Sequence, residues 1–218
     1  MKKLIALVVL SLMMVSMSGC SAGEFFASLG FDTHDYEGER VIKEHSVDSE
    51  IGEELADMVK ILTINSTEIP EFRGTKEAVE LCRDAVLNSM YSRNFGKYAG
   101  NPEIIGEAED LHPDIVFSVL IPADDFENTA YKYFGGKEKI TNKSGVMYDY
   151  IEDIDAYITA ASPVDCTMAV NIHSIEETQN TLRLVFDCTL EDEQSDTYFA
   201  LIIKRSDDSL YFKYIEKR

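Results

Sequence analysis

The chain has 218 residues, with 40 Asp or Glu against 20 Lys or Arg, giving a formal net charge of −20. That balance excludes nucleic acid as a partner, since its binders need basic patches to displace counterions, and it disfavours lying flat on an anionic membrane. At this length and 45% hydrophobic residues, one domain with a sizeable core is expected.

Lys2 and Lys3 precede an apolar run, Leu4 to Val15, broken only by Ser11. A membrane-spanning helix needs about 20 residues, so this run is too short and has the form of a secretory signal: basic end, apolar middle, small-residue exit. The exit, Met17-Ser18-Gly19-Cys20, resembles the lipobox of bacterial lipoproteins. The resemblance covers residues 1–20 and departs at Met17, where leucine is commonest. It implies a signal peptide over residues 1–19 and a diacylglycerol on Cys20. The protein would then sit lipid-anchored on the extracytoplasmic face of the cell membrane. Each buried CH₂ contributes about 0.8 kcal/mol, so two or three acyl chains give a stable anchor.

Residues 20–47 are polar and dotted with aromatics, without sustained periodicity, and read as a lipidated tether. The domain is expected over 48–218, helical over 48–112 and sheet-rich over 113–218. Asp48 is placed to cap a helix whose stripe is Ile51, Leu55, Met58, Val59 and Leu62. Pro70 and Gly74 interrupt it. Thr75 is placed to cap a second helix with the stripe Val79, Cys82, Val86 and Met90, stopping near Gly96. The stretch Asn101 to Asp114, with two prolines, reads as an acidic loop. Ile115 to Ile121 reads as a buried strand and Ala123 to Phe134 as a third helix closed by Gly135-Gly136. Met147 to Ile151 and Ala156 to Thr159 flank the turn Glu152-Asp153-Ile154-Asp155, a β-hairpin in preference to a helix.

The last third alternates with period 2: Cys166 to Ile172, Leu182 to Cys188, Phe199 to Ile203, and Leu210 to Tyr214. Four such runs with short polar turns predict an antiparallel meander with one face on a core. The turn spacings pair Cys166 with Cys188, Phe186 with Leu201, and Ile203 with Phe212. They also turn Val185, Ala200, Ile202 and Ile215 outward, beside Tyr198 and Tyr211. That apolar face is either a contact surface for a protein partner or second copy, or one covered by the tether or first helices. Helices followed by strands mean α+β, with N-terminal helices on a bent antiparallel sheet. From about Ile115 onward this order is similar to the cystatin-like and NTF2-like architecture, which implies a sheet wrapped round a helix and no particular function.

No nucleophile elbow, S-x-x-K, H-E-x-x-H or C-x-x-C is present, so no catalytic residue, metal site or cofactor is assigned. Gly135-Gly136-Lys137 follows a helix rather than a strand, so it reads as a C-cap and not a phosphate loop. Three weaker clusters read first as solvated loops: Asp32 to Asp35 with His34; Glu107, Glu109, Asp110, His112 and Asp114; and the hairpin acids Glu152, Asp153 and Asp155. If the hairpin forms, Tyr150 faces Tyr157 with Tyr148 on the same face, a cross-strand stack or a flat ligand surface. The expected function is an anchored extracytoplasmic binding module that catalyses nothing. The alternatives are a small hydrolase using carboxylates and His112, and a structural subunit of a cell-envelope complex.

Overall fold

Ser49, not Asp48, starts the first helix: its Oγ accepts from the Gly52 amide at 3.4 Å, and Glu50 and Glu53 sit at the positive end. This helix, α1 (Glu50–Thr63), buries Leu55, Met58, Val59 and Leu62, as the stripe requires. The computed structural model describes residues 35–64, 66, 68–100, 102–113, 118–136, 139–159, 168–190, 193–194 and 196–218. The chain divides into two compact units, Met1–Arg40 and Val41–Arg218. Of the first, Cys20 and the Asp32 to His34 part of the acidic cluster lie outside the described residues. The second begins earlier than the expected 48, because strand β1 (Lys43–His45) pairs with a later strand, so the end of the expected tether belongs to the sheet.

Helix α2 (Thr75–Arg93) follows β2 (Phe72–Arg73) and buries Val79, Cys82, Val86 and Met90. Its N-cap is Gly74 at φ 86°, a left-handed position that glycine adopts without strain; Thr75 instead donates its hydroxyl to the Phe134 carbonyl at 2.9 Å. A short turn, α3 (Phe95–Tyr98), precedes α4 (Pro102–Leu111). Helix α4 replaces the expected acidic loop. Pro102 stands at its first position, where a missing N–H costs nothing, and Ile105 and Ala108 bury one face against Leu120 and Ile158. The expected strand is shorter than its apolar run: β3 is Val119–Pro122, and 114–117 are not described. Helix α5 (Ala123–Phe134) ends as expected, with the Gly135 amide donating to the Tyr131 carbonyl at 3.0 Å.

The hairpin forms. Strands β4 (Asp149–Ile151) and β5 (Ala156–Thr159) are joined by a 3₁₀ turn, Glu152–Ile154, and Tyr150 pairs with Tyr157. With β3 they make a small antiparallel sheet in the order β3-β5-β4. The remaining strands are β6 (Ala169–Glu177), β7 (Thr181–Leu190), β8 (Glu193–Gln194), β9 (Tyr198–Lys204) and β10 (Leu210–Lys217). They build the main sheet, ordered β1-β6-β7-β9-β10-β2, with β8 on the end of β7. The fold is α+β with antiparallel sheets, and residues of α1, α2 and α5 share one core with one face of the main sheet.

The expected register does not hold. Cys188 stands opposite Val170, and Cys166 lies outside the described residues. Phe186 pairs with Tyr198 and Leu182 with Ile202. Two bulges, at His173 and Lys213, shift the outer ladders by one residue. The core face of β7 is as expected: Leu182, Leu184, Phe186 and Cys188. That of β9 is the opposite of the expected one. Tyr198, Ala200 and Ile202 point into the core, and so does Ile215 of β10 after its bulge. Four of the six residues expected on an outer contact surface are therefore core residues, packed with the helices. Val185 and Tyr211 are only partly buried.

Candidate functional site

Thr75, Lys76, Val79, Glu80 and Arg83 recur along α2 at spacings that place them on one face of the helix. The extended segment 139–143 runs opposite. Along it Lys139, Thr141 and Lys143 are exposed while Ile140 is buried and Asn142 half-buried. Between them is a cleft of about 350 Å³, near the lower end of the roughly 300–1,000 Å³ usual for small-molecule sites. Val79 and Ile140 give it apolar walls, and its cations come from both sides.

Arg83 is the base of the cleft and only 4% exposed. Its Nη1 donates to the Tyr157 hydroxyl and its Nη2 to the Thr141 carbonyl at 3.1 Å. Tyr157 in turn donates to Asn142 Oδ1 at 2.8 Å, and Asn142 Nδ2 to Glu127 Oε1 at 2.8 Å. The guanidinium also lies 5.4 Å from the Phe126 ring centroid and 5.7 Å from that of Tyr157. Burial pushes the Tyr157 hydroxyl up, against the opposing pull of Arg83. Among the described residues no carboxylate forms an ion pair with Arg83. A guanidinium stays charged in any protein environment, and buried charges are ordinarily paired. This one is held by neutral oxygens and ring faces, and its planar fork keeps donors to spare.

Lys76 and Lys139 are exposed and make no ion pair among the described residues. Lys143 meets Glu80 at 2.5 Å, with both side chains about half exposed. That hydrogen bond, then the charge of Lys143, with smaller help from Lys76 and Arg83, holds the Glu80 carboxyl below the usual range. Among the described lining residues, four cations against one carboxylate at a single cleft run counter to the net charge of −20 for the whole chain. The positive end of α2 adds to the same field.

The next residue, Asp84, lines a different cavity of about 660 Å³ with Glu68, Glu71, Asp196, Tyr198 and Lys217. Three of its acids have partners. Asp84 Oδ2 accepts from the Val146 amide at 2.6 Å, Glu71 Oε2 accepts from the Lys217 amide at 3.0 Å, and Asp196 pairs with the Lys217 ammonium. Asp84 Oδ1 is buried without a hydrogen-bond partner and abuts Gly145, where a Cβ would come within 2.2 Å of it.

Of the residues singled out in the sequence, Tyr148 and Tyr157 are buried, so they do not form an open aromatic surface with Tyr150. The Tyr150 and Tyr157 rings lie 5.2 Å apart in a cross-strand pair, and Tyr148 donates to Asn88 Oδ1 at 2.9 Å. Tyr157 belongs to the cleft through Arg83 instead. His112 keeps Nε2 buried without a partner, so no described carboxylate orients it; Glu109 and Asp110 are exposed on α4, and the side chains of Glu107 and Asp114 are not described. Two imidazole–carboxylate contacts occur elsewhere, His45 with Glu177 at 2.8 Å and His173 with buried Asp187 at 2.6 Å. Neither was marked by a sequence motif. Among the described residues no group of three or more His, Cys, Asp or Glu is placed to hold a metal ion.

The cleft itself was missed. Its signal was present: Lys137, Lys139 and Lys143 crowd a short stretch of an acidic chain, and Lys76 and Arg83 stand two helical turns apart. Nothing local announced that the two segments face each other, because that depends on tertiary packing. No family model, curated protein or solved structure matches this chain.

Proposed function

We propose that this chain is an anchored extracytoplasmic binding module, held at the membrane through a lipid on Cys20, that takes a small anionic ligand in the Arg83 cleft. The observation that carries the reading is Arg83: a buried guanidinium with no carboxylate partner among the described residues, at the base of a cleft rimmed by lysines. A planar guanidinium presents parallel N–H donors to a carboxylate or phosphate, and such charge-assisted pairs are about twice as strong as neutral ones. The lysines raise the local concentration of anions. The anchoring part rests on the lipobox-like exit at Cys20. Among the described residues no helix is long and apolar enough to cross a membrane.

The test is thermal unfolding of the full chain against succinate, phosphate and sulfate at constant ionic strength. A ligand at a hundredfold excess over its Kd stabilises by about 2.7 kcal/mol. The reading predicts saturable stabilisation by one of these anions that is lost in Arg83→Met. Stabilisation that follows ionic strength alone, equally in both proteins, contradicts it.

A further inference from the structure

Glu80 occupies an odd position in a cleft built for an anion. It lies on the same helical face as Lys76, Val79 and Arg83, and its carboxylate bonds Lys143 across the cleft at 2.5 Å. Lys143 is thus engaged, whereas among the described residues Lys76 and Lys139 make no ion pair and Arg83 meets no carboxylate. The contact is exposed, with side chains 55% and 52% accessible. Exposed pairs of this kind contribute about 1 kcal/mol or less, so a second carboxylate arriving close to Arg83 competes with Glu80 on nearly equal terms. The apolar walls, Val79 and Ile140, fit the carbon body of such a ligand rather than a bare inorganic ion.

We propose that Glu80 is the resident counter-ion of the cleft, and that the ligand is a small organic acid with two carboxylates. One carboxylate seats on Arg83 and the other displaces Glu80 from Lys143. This rests on the reading of the cleft as an anion site and adds to it a ligand class and a built-in competitor. Two consequences follow. Binding breaks the Glu80–Lys143 contact and leaves Glu80 in solvent. Removing the Glu80 charge strengthens binding, since the ligand no longer has to displace a like charge.

The experiment is calorimetric titration of the full chain with succinate, then with inorganic phosphate, at fixed pH and ionic strength. It compares wild type, Glu80→Gln, Lys143→Gln and Glu54→Gln. Glu54 is an exposed acid of α1 outside the cleft lining and controls for the change of one charge. The proposal predicts succinate affinity about fivefold tighter in Glu80→Gln, weaker in Lys143→Gln and unchanged in Glu54→Gln. It also predicts that phosphate binds more weakly than succinate to wild type. If wild type binds succinate but Glu80→Gln binds it equally or less well, displacement is wrong and the anion site stands. If phosphate binds wild type as tightly as succinate, the dicarboxylate class is wrong. If neither anion binds wild type or Glu80→Gln, the anion site is wrong and this proposal falls with it. Thermal unfolding of each variant confirms that the fold is kept.

Discussion

Arg83 and Asp84 are neighbours on one helix, yet they open onto cavities of opposite character. Around Asp84 acids predominate: Asp196 pairs with Lys217, Glu71 accepts from the Lys217 amide and Asp84 Oδ2 from the Val146 amide, while Asp84 Oδ1 is buried without a partner. Around Arg83 cations predominate, and the central one is held by a tyrosine hydroxyl, a carbonyl and two ring faces. Among the described lining residues the larger cavity therefore carries an excess of acids and the smaller one an excess of cations. Volume is a poor guide to which cavity binds something; the balance of buried charge is a better one.

The comparison breaks most completely if the core that carries α2 is disrupted. Ile202 is fully buried in the core shared by the sheet and α2. Ile202→Asp places a carboxylate there, at a cost of several kcal/mol, and circular dichroism should show loss of the folded state. A folded, unshifted variant would return Ile202 to the outer face. The next largest effect falls on Arg83. Arg83→Met keeps the side-chain bulk and removes the fork, and anion affinity should fall about 10- to 100-fold by titration. Asp84→Asn should instead destabilise the domain by about 1 kcal/mol, through the weakened contact to Val146, and leave anion affinity within about twofold. Equal loss of binding from Arg83→Met and Asp84→Asn would erase the distinction between the cavities. Lys139→Gln, at the exposed rim, should weaken binding about threefold, with a flatter dependence on salt.

The smallest effect lies away from both cavities and sharpens the comparison with a half-buried ionic network in which the acid meets two partners. Glu177 joins Lys204 at 2.8 Å and His45 at 2.8 Å, clipping β1 to the sheet. Lys204 first and His45 second hold its carboxyl below the model-peptide range. Because the folded value is depressed, its contribution is complete above the ordinary glutamate pKa and is lost as pH falls through the lower, folded value. Glu177→Gln should therefore cost about 0.5 kcal/mol at neutral pH and nothing at the acid end, read as converging denaturation midpoints.

Much of the fold was legible because periodicity and burial agree where one face is wet. Strand β7 alternates Leu182, Leu184 and Phe186 with the half-buried Arg183 and Val185, and its core face is the one the alternation predicts. Its neighbour β9 runs Tyr198-Phe199-Ala200-Leu201-Ile202-Ile203 without a polar residue. Leu201 and Ile203 are 2% and 5% exposed although they alternate with the core-facing Ala200 and Ile202. A strand buried on both sides carries no period-2 signal, so its face had to be inferred from turn lengths, and the bulges at His173 and Lys213 are invisible to that inference. Helix α4 was hidden by Pro102, read as a breaker where it is a helix start. The cleft was least legible of all. Tyr157 was noticed for its ring, and the Thr141 carbonyl and the buried Arg83 were not noticed, because their meeting joins residues 58 and 74 positions apart.

The most direct test of the central claim is a side-chain NMR titration of the folded chain with succinate at constant ionic strength, following the Arg83 guanidinium resonances. The account predicts saturable shifts at Arg83, with coincident shifts at Lys143 and Lys139 and none at the Val146 amide beside Asp84. Shifts spread over exposed lysines without saturation, and with Arg83 unmoved, would contradict it.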